Sequence, residues 1–288
     1  VQIGIGLAVA AALLTNLASL LKHRGCHRAA PISLRNPLRS ARGLARSPWF
    51  AAGWGLAAIA WGVHVAALSM APISIVQAVL AGGAVTLAVM AQRLFGDPVE
   101  PRQWLALLLG GAGLALLVLT LPHFKGSDSS FTVGGMLGFE GGLALIASGL
   151  ALGHRSERLA GHHRVLLAAI AGTLFGIAGV AIKGLTGIGD VSVAVLAPWV
   201  LVTILAGIGA QYATAAALQR GGAIETIGLI GLVANAAQIA GGILVFGDPL
   251  ASSPLGLVLQ GAAFAMVCGS ALLIPSRRPA ATALAVAA

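Results

Sequence analysis

Charge is scarce in this chain. Asp, Glu, Lys and Arg make up only 9% of residues, where soluble domains carry about 25%. A chain that poor in charge cannot clothe a soluble globule, which excludes a soluble enzyme or nucleic-acid-binding domain. Acidic groups are scarcest, 8 against 17 basic ones, for a net charge of +9. The two cysteines, Cys26 and Cys268, have no partner spacing, so neither a disulfide framework nor a CxxC metal or redox site is expected. A Walker A loop is absent, as are GxSxG and HExxH motifs. ATP-driven transport by this chain alone and hydrolase chemistry are therefore not expected, and nothing implies a cofactor.

What the chain does have is apolar length. Hydrophobic residues account for 58% of it. They form nine continuous runs: Ile3–Leu21, Trp49–Met70, Pro72–Phe95, Gln103–Leu121, Gly134–Leu152, Val165–Leu185, Pro198–Leu218, Ala223–Phe246 and Leu255–Ile274. About 20 helical residues cross a bilayer core. Barrel strands would alternate with period two, and these runs do not. The expected fold is an all-α integral membrane protein of about nine transmembrane helices, with the lipid bilayer as its principal partner.

Orientation follows from the basic residues between the runs. One side collects Lys22, Arg24, Arg28, Arg35, Arg39, Arg42, Arg46, Arg93, Arg102, Arg155, Arg158, Arg164, Arg220, Arg277 and Arg278; the other has only Lys125 and Lys183. The basic side is expected to be cytoplasmic, placing the N-terminus outside and the C-terminus inside a cell inner (plasma) membrane. The positive charge is thereby accounted for without a nucleic-acid partner.

A shift of 151 residues lays Phe95-Gly96-Asp97-Pro98 on Phe246-Gly247-Asp248-Pro249. The register runs ungapped from about Leu56 to Ala115, pairing Ile73 with Ile224 and Gly110 with Gly261. The third run matches the eighth, five runs later. Because five is odd, the two copies cross the membrane in opposite directions. This inverted-topology repeat is a common plan of secondary transporters. It divides the chain into residues 1–121, a first half of four helices with a long basic loop 22–48; residues 134–274, a second half of five; and a flexible cytoplasmic tail, 275–288.

At these residues the chain resembles the drug/metabolite transporter superfamily (EamA-like): Ala71-Pro72 opens a helix that closes on Phe95-Gly96-Asp97. It is most similar to the NIPA-type magnesium transporter branch, through Leu21-Lys22-His23-Arg24-Gly25, the basic loop before Trp49 and Ile182-Lys183-Gly184-Leu185. The resemblance implies a helical transporter with two pseudosymmetric halves. Trp61 and His64 stand where that branch has Glu and Asn. Since Mg²⁺ favours oxygen ligands, usually including a carboxylate, the substitution favours an organic solute over the bare ion.

Polar side chains within the runs are costly and therefore candidate functional groups. His64, Gln77, Glu140 and Lys183 are expected in the outer half, around one outward-facing cavity, with Glu140 and Lys183 able to pair across adjacent helices. Asn235 and Gln238 share a helical face. These six form the candidate substrate site. Glu225 is expected to favour its helix dipole, and Asp97 and Asp248 to serve turns. His154, His162 and His163 lie in a basic loop that disfavours a metal. Two glycine series, Gly134, Gly138 and Gly142, and Gly172 and Gly176, suit close helix packing, more simply within the chain than in a homodimer.

The leading expectation is a secondary transporter moving a small solute, a metabolite or organic cation, by alternating access. The alternatives are a Mg²⁺ transporter of the NIPA-type kind, a lipid-linked carrier flippase and a membrane scaffold without flux.

Overall fold

The structure, a computed structural model, describes residues 2–27, 42–96, 100–120, 131–156, 161–186, 193–248 and 250–273. Among them all regular structure is helical. The helices are α1 (Gln2–His27), α2 (Pro48–Met70), α3 (Ile73–Gly82), α4 (Ala84–Met90) with a π-helical continuation (Ala91–Phe95), α5 (Pro101–Thr120), α6 (Val133–His154), α7 (His163–Thr186), α8 (Val193–Leu218), α9 (Ala223–Leu244) and α10 (Pro254–Leu273). Six of them, α1, α2, α6, α7, α8 and α9, are long and apolar enough to cross a membrane. This is an all-α, multi-pass membrane architecture. Most of the basic loop, residues 28–41, the first-half boundary at 121 and the tail 275–288 lie outside the described residues.

Local chemistry sets the helix boundaries. Ser47 caps α2 by accepting the Phe50 N–H at 3.4 Å, with Pro48 opening the helix. Thr132 caps α6 by accepting the Gly135 N–H at 3.2 Å. Each satisfies one of the donors orphaned at a helix start. Gly96 (φ 71°) and Gly247 (φ 67°) are the positive-φ residues among those described. Both follow the Phe of the repeated tetrapeptide: Gly96 is the left-handed cap of the π-helical turn, whereas α9 has already ended at Leu244 with Val245 as its cap, and Gly247 turns the chain beyond it.

Two expected boundaries change. Lys22 and Arg24 belong to α1, which runs on to His27, rather than to the loop that follows. The third run is not one continuous α-helix: it is interrupted at Gly83 and ends in the π-helical turn. Paired glycines, Gly82 and Gly83, weaken the helix there. Asn16 Nδ2 donates to the Gly83 carbonyl at 2.7 Å, as does the Thr86 hydroxyl at 2.6 Å. Asn16 thus holds α1 against the interruption. A Cβ on Gly83 would come within 2.9 Å of Ala12 Cβ, so glycine also permits the approach.

The helices pack in matching sets. α1 lies along α2, and α7 along α8; α1 meets α3, and α7 meets α9; α3 meets α9, and α5 meets α10. The α7–α9 contact is made by glycine. A Cβ on Gly172 would stand 2.6 Å from Val233 Cβ, and one on Gly176 2.6 Å from Ala237 Cβ. That series therefore serves internal packing. The other does not: nothing lies within 4 Å of where a Cβ would stand on Gly134, Gly138 or Gly142. α6 packs mainly on α7, and these glycines face away from the described residues.

Candidate functional site

All helix ends flanked by the basic loops gather at one end of the bundle, called here the basic end. His23 Nε2 contacts the Gly221 carbonyl at 3.2 Å, Lys22 Nζ donates to Gln211 Oε1 at 3.3 Å, and Gln219 Nε2 donates to the Cys26 carbonyl at 3.3 Å. Gln103 Nε2 donates to Glu225 Oε1 at 3.0 Å, and the other carboxylate oxygen of Glu225 pairs with Arg164. Glu225 is therefore more than a charge at the start of α9: it ties α5, α7 and α9 together. The rings of His154 and His163 lie 4.4 Å apart at the same end. Among the described residues no group of three His, Cys, Asp or Glu is placed to hold a metal.

The six candidate residues lie towards the opposite, distal end. Five of them fall into three groups, and Asn235 stands apart. The first is a hydrogen-bonded chain across the centre. Gln238, on α9, donates from Nε2 to the Ala234 carbonyl at 3.3 Å, and its Oε1 accepts from Gln77 Nε2, on α3, at 2.8 Å. Gln77 Nε2 also faces His64 Nε2, on α2, at 3.5 Å. Gln77 is fully buried, and Gln238 nearly so. Gly179 of α7 makes room for the second amide, because a Cβ there would overlap the Gln238 side chain. His64 Nδ1 and Gln77 Oε1 are buried without a hydrogen-bond partner.

The second group is Lys183, in the last turn of α7 and fully buried. Its ammonium donates to the Leu68 carbonyl at 2.9 Å and the Ala71 carbonyl at 3.3 Å. A cation there satisfies carbonyls orphaned at the C-terminus of α2 and favours the negative end of its dipole. The third is Glu140, buried on α6, with Oε1 lacking a hydrogen-bond partner. The expected Glu140–Lys183 pair is thus not formed. The backbone at the Ala71-Pro72 break supplies two carbonyls to the ammonium, an attraction invisible in a scan of side chains. Asn235, one turn before Gln238, is buried on the same helix.

Apolar packing closes the distal end. Phe131 makes edge-to-face contacts with Trp199 (5.9 Å between centroids) and Phe246 (6.1 Å). Met136, Phe139, Val76, Leu68 and Val180 complete that core. A cavity of about 280 Å³ opens between α5 and α10, lined by Leu119, Thr120, Ser252, Ser253 and Leu255 among others; none of the six candidate residues lines it.

Sequence reasoning passed over Gln103 as a bonding group and placed Arg164 in a loop. Their signal was present: a lone Gln and a lone Glu, each at the start of an apolar run on the basic side. No family model, curated protein or solved structure matches the chain.

Proposed function

We propose that the protein is a secondary transporter of the drug/metabolite kind, closest to the NIPA-type branch, that moves a small solute by alternating access. The observation that carries this reading is the 2.8 Å bond between Gln77 and Gln238. It is a buried side-chain link between α3 and α9, the helices that the 151-residue shift superposes. An interface between inverted halves is where such transporters bind solute, on interrupted helices. The interruption at Gly83 lies on the same span as Gln77. The shared left-handed glycines, Gly96 and Gly247, and the matching of α1–α2 with α7–α8, support an inverted repeat of four and five helices. On this reading nine spans cross an inner (plasma) membrane with the basic end cytoplasmic, and the open glycine face of α6 is available to a second copy.

The interior placement of Gln77 and Gln238 favours solute transport over lipid flipping, which needs a polar groove open to the side. Flux in proteoliposomes, with panels of metabolites and cations and an imposed pH gradient, tests the proposal. Solute uptake above that of empty liposomes, lost on Gln238→Leu, is expected. Absence of flux for every solute, with or without the gradient, would leave a scaffold as the better reading.

A further inference from the structure

Hydrogen-bond direction in the central chain is forced from one end. The Ala234 carbonyl can only accept, so the Gln238 side chain must present its NH₂ to it and its oxygen to Gln77. Gln77 must then present its own NH₂ to Gln238, which turns Gln77 Oε1 away. Neither amide can flip without setting like groups against each other. The same NH₂ faces His64 Nε2, which is therefore the lone-pair nitrogen, and the ring proton sits on Nδ1. The two atoms left without partners are thereby assigned: Gln77 Oε1 is an acceptor and His64 Nδ1–H a donor. Both belong to uncharged groups. Among the described residues, Glu140, Asp248 and Lys183 are the other buried ionisable groups of the distal half, and neither of the two unpaired atoms hydrogen-bonds to any of them.

We infer that the site takes an uncharged solute bearing both a hydrogen-bond donor and an acceptor, as a primary carboxamide does, with its N–H on Gln77 Oε1 and its oxygen on His64 Nδ1–H. A buried donor or acceptor without a partner is costly, and such a solute satisfies one of each at once. An ammonium ion would satisfy Gln77 and confront the His64 N–H; a carboxylate would do the reverse. A divalent ion would find a single neutral oxygen ligand here, Gln77 Oε1, where Mg²⁺ needs six. This inference rests on the transporter reading for its setting, but binding tests it separately from flux.

The full chain, purified in detergent, is titrated with propionamide, propylammonium chloride, sodium propionate and magnesium chloride at matched ionic strength, following the melting temperature and the heat of binding. Propionamide is expected to give a saturable rise in melting temperature that the three ions do not. Its affinity should fall about tenfold in Gln77→Leu and in His64→Phe, the loss of one hydrogen bond in each. His64→Phe keeps the ring volume, so it serves where Gln77→Leu fails to fold. A larger saturable shift with any of the ions, a propionamide shift unchanged in the folded variants, or no shift with any probe would overturn the inference. Propionamide binding without flux of any solute would end the transporter reading and leave the site standing. Flux of an ion, with no propionamide binding, would do the opposite.

Discussion

The two ends of the bundle are closed by different physics. At the basic end, directional bonds join the first half to the second: Lys22 to Gln211, His23 to the Gly221 carbonyl, Gln103 to Glu225. At the distal end, the Lys183 ammonium bonds to the Leu68 and Ala71 carbonyls, and the rest of the closure comes from the edge-to-face rings of Phe131, Trp199 and Phe246 and the aliphatic side chains around them. Directional bonds among buried polar groups are lost together when geometry is broken, and each partner then pays its own desolvation. Apolar contacts tolerate sliding, because no single geometry is required.

The largest expected effect tests the basic end directly. Arg164→Ala strands the Glu225 carboxylate, which is 2% exposed. Breaking a buried ion pair by removing one partner costs about 3–5 kcal/mol. A loss of that size is expected in reversible unfolding in detergent, with much of it restored in the Arg164→Met, Glu225→Gln double variant. A loss near zero for Arg164→Ala would show that the pair does not lock this end.

A smaller effect is expected at the contact that shapes the central chain. Gly179→Val drives a side chain into the Gln238 amide, and overpacking of this kind costs about 1–3 kcal/mol. Gly138→Ala, on the open face of α6, adds a methyl where nothing stands within 4 Å. It is expected to leave stability unchanged or to raise it by up to about 1 kcal/mol, because alanine is favoured over glycine in a helix interior. Equal melting temperatures for the two variants would contradict the packing of α7 on α9.

The smallest effect sharpens the comparison by its near absence. Lys183 donates to the Leu68 and Ala71 carbonyls, and Glu140 Oε1 has no hydrogen-bond partner. A double-mutant cycle of Glu140→Gln and Lys183→Met is expected to give a coupling below about 0.5 kcal/mol, the level of independent sites. The corresponding cycle at Arg164 and Glu225 should give several times more. A strong coupling between Glu140 and Lys183 would reinstate the pair expected from their placement in adjacent runs.

Legibility varied with the kind of signal. The helices themselves were readable because each apolar run is long, and continuous hydrophobicity leaves helix as the stable choice in lipid. The two left-handed glycines were marked by the FGDP repeat, since a positive φ after Phe95 and Phe246 favours glycine. The interruption at Gly83 was marked by a glycine pair but was overlooked, because hydropathy does not fall there. The candidate residues were identifiable as polar atoms in apolar surroundings, yet their partners were not. Lys183 found backbone carbonyls instead of Glu140, and Gln77 found Gln238 as well as His64, one of the outer residues grouped with it.

By itself the sequence determined the helical membrane class, the gathering of basic residues between alternate runs and the recurrence of FGDP 151 residues on. These depend on composition and on order along the chain, which any folded form must respect. The tertiary structure alone decided which polar atoms meet. That choice turns on the crossing of α3 with α9 and on glycines that let α7 approach, contacts between residues far apart in sequence. A buried amide takes whichever partner the packing brings within about 3 Å, and no pattern along a single helix specifies that partner.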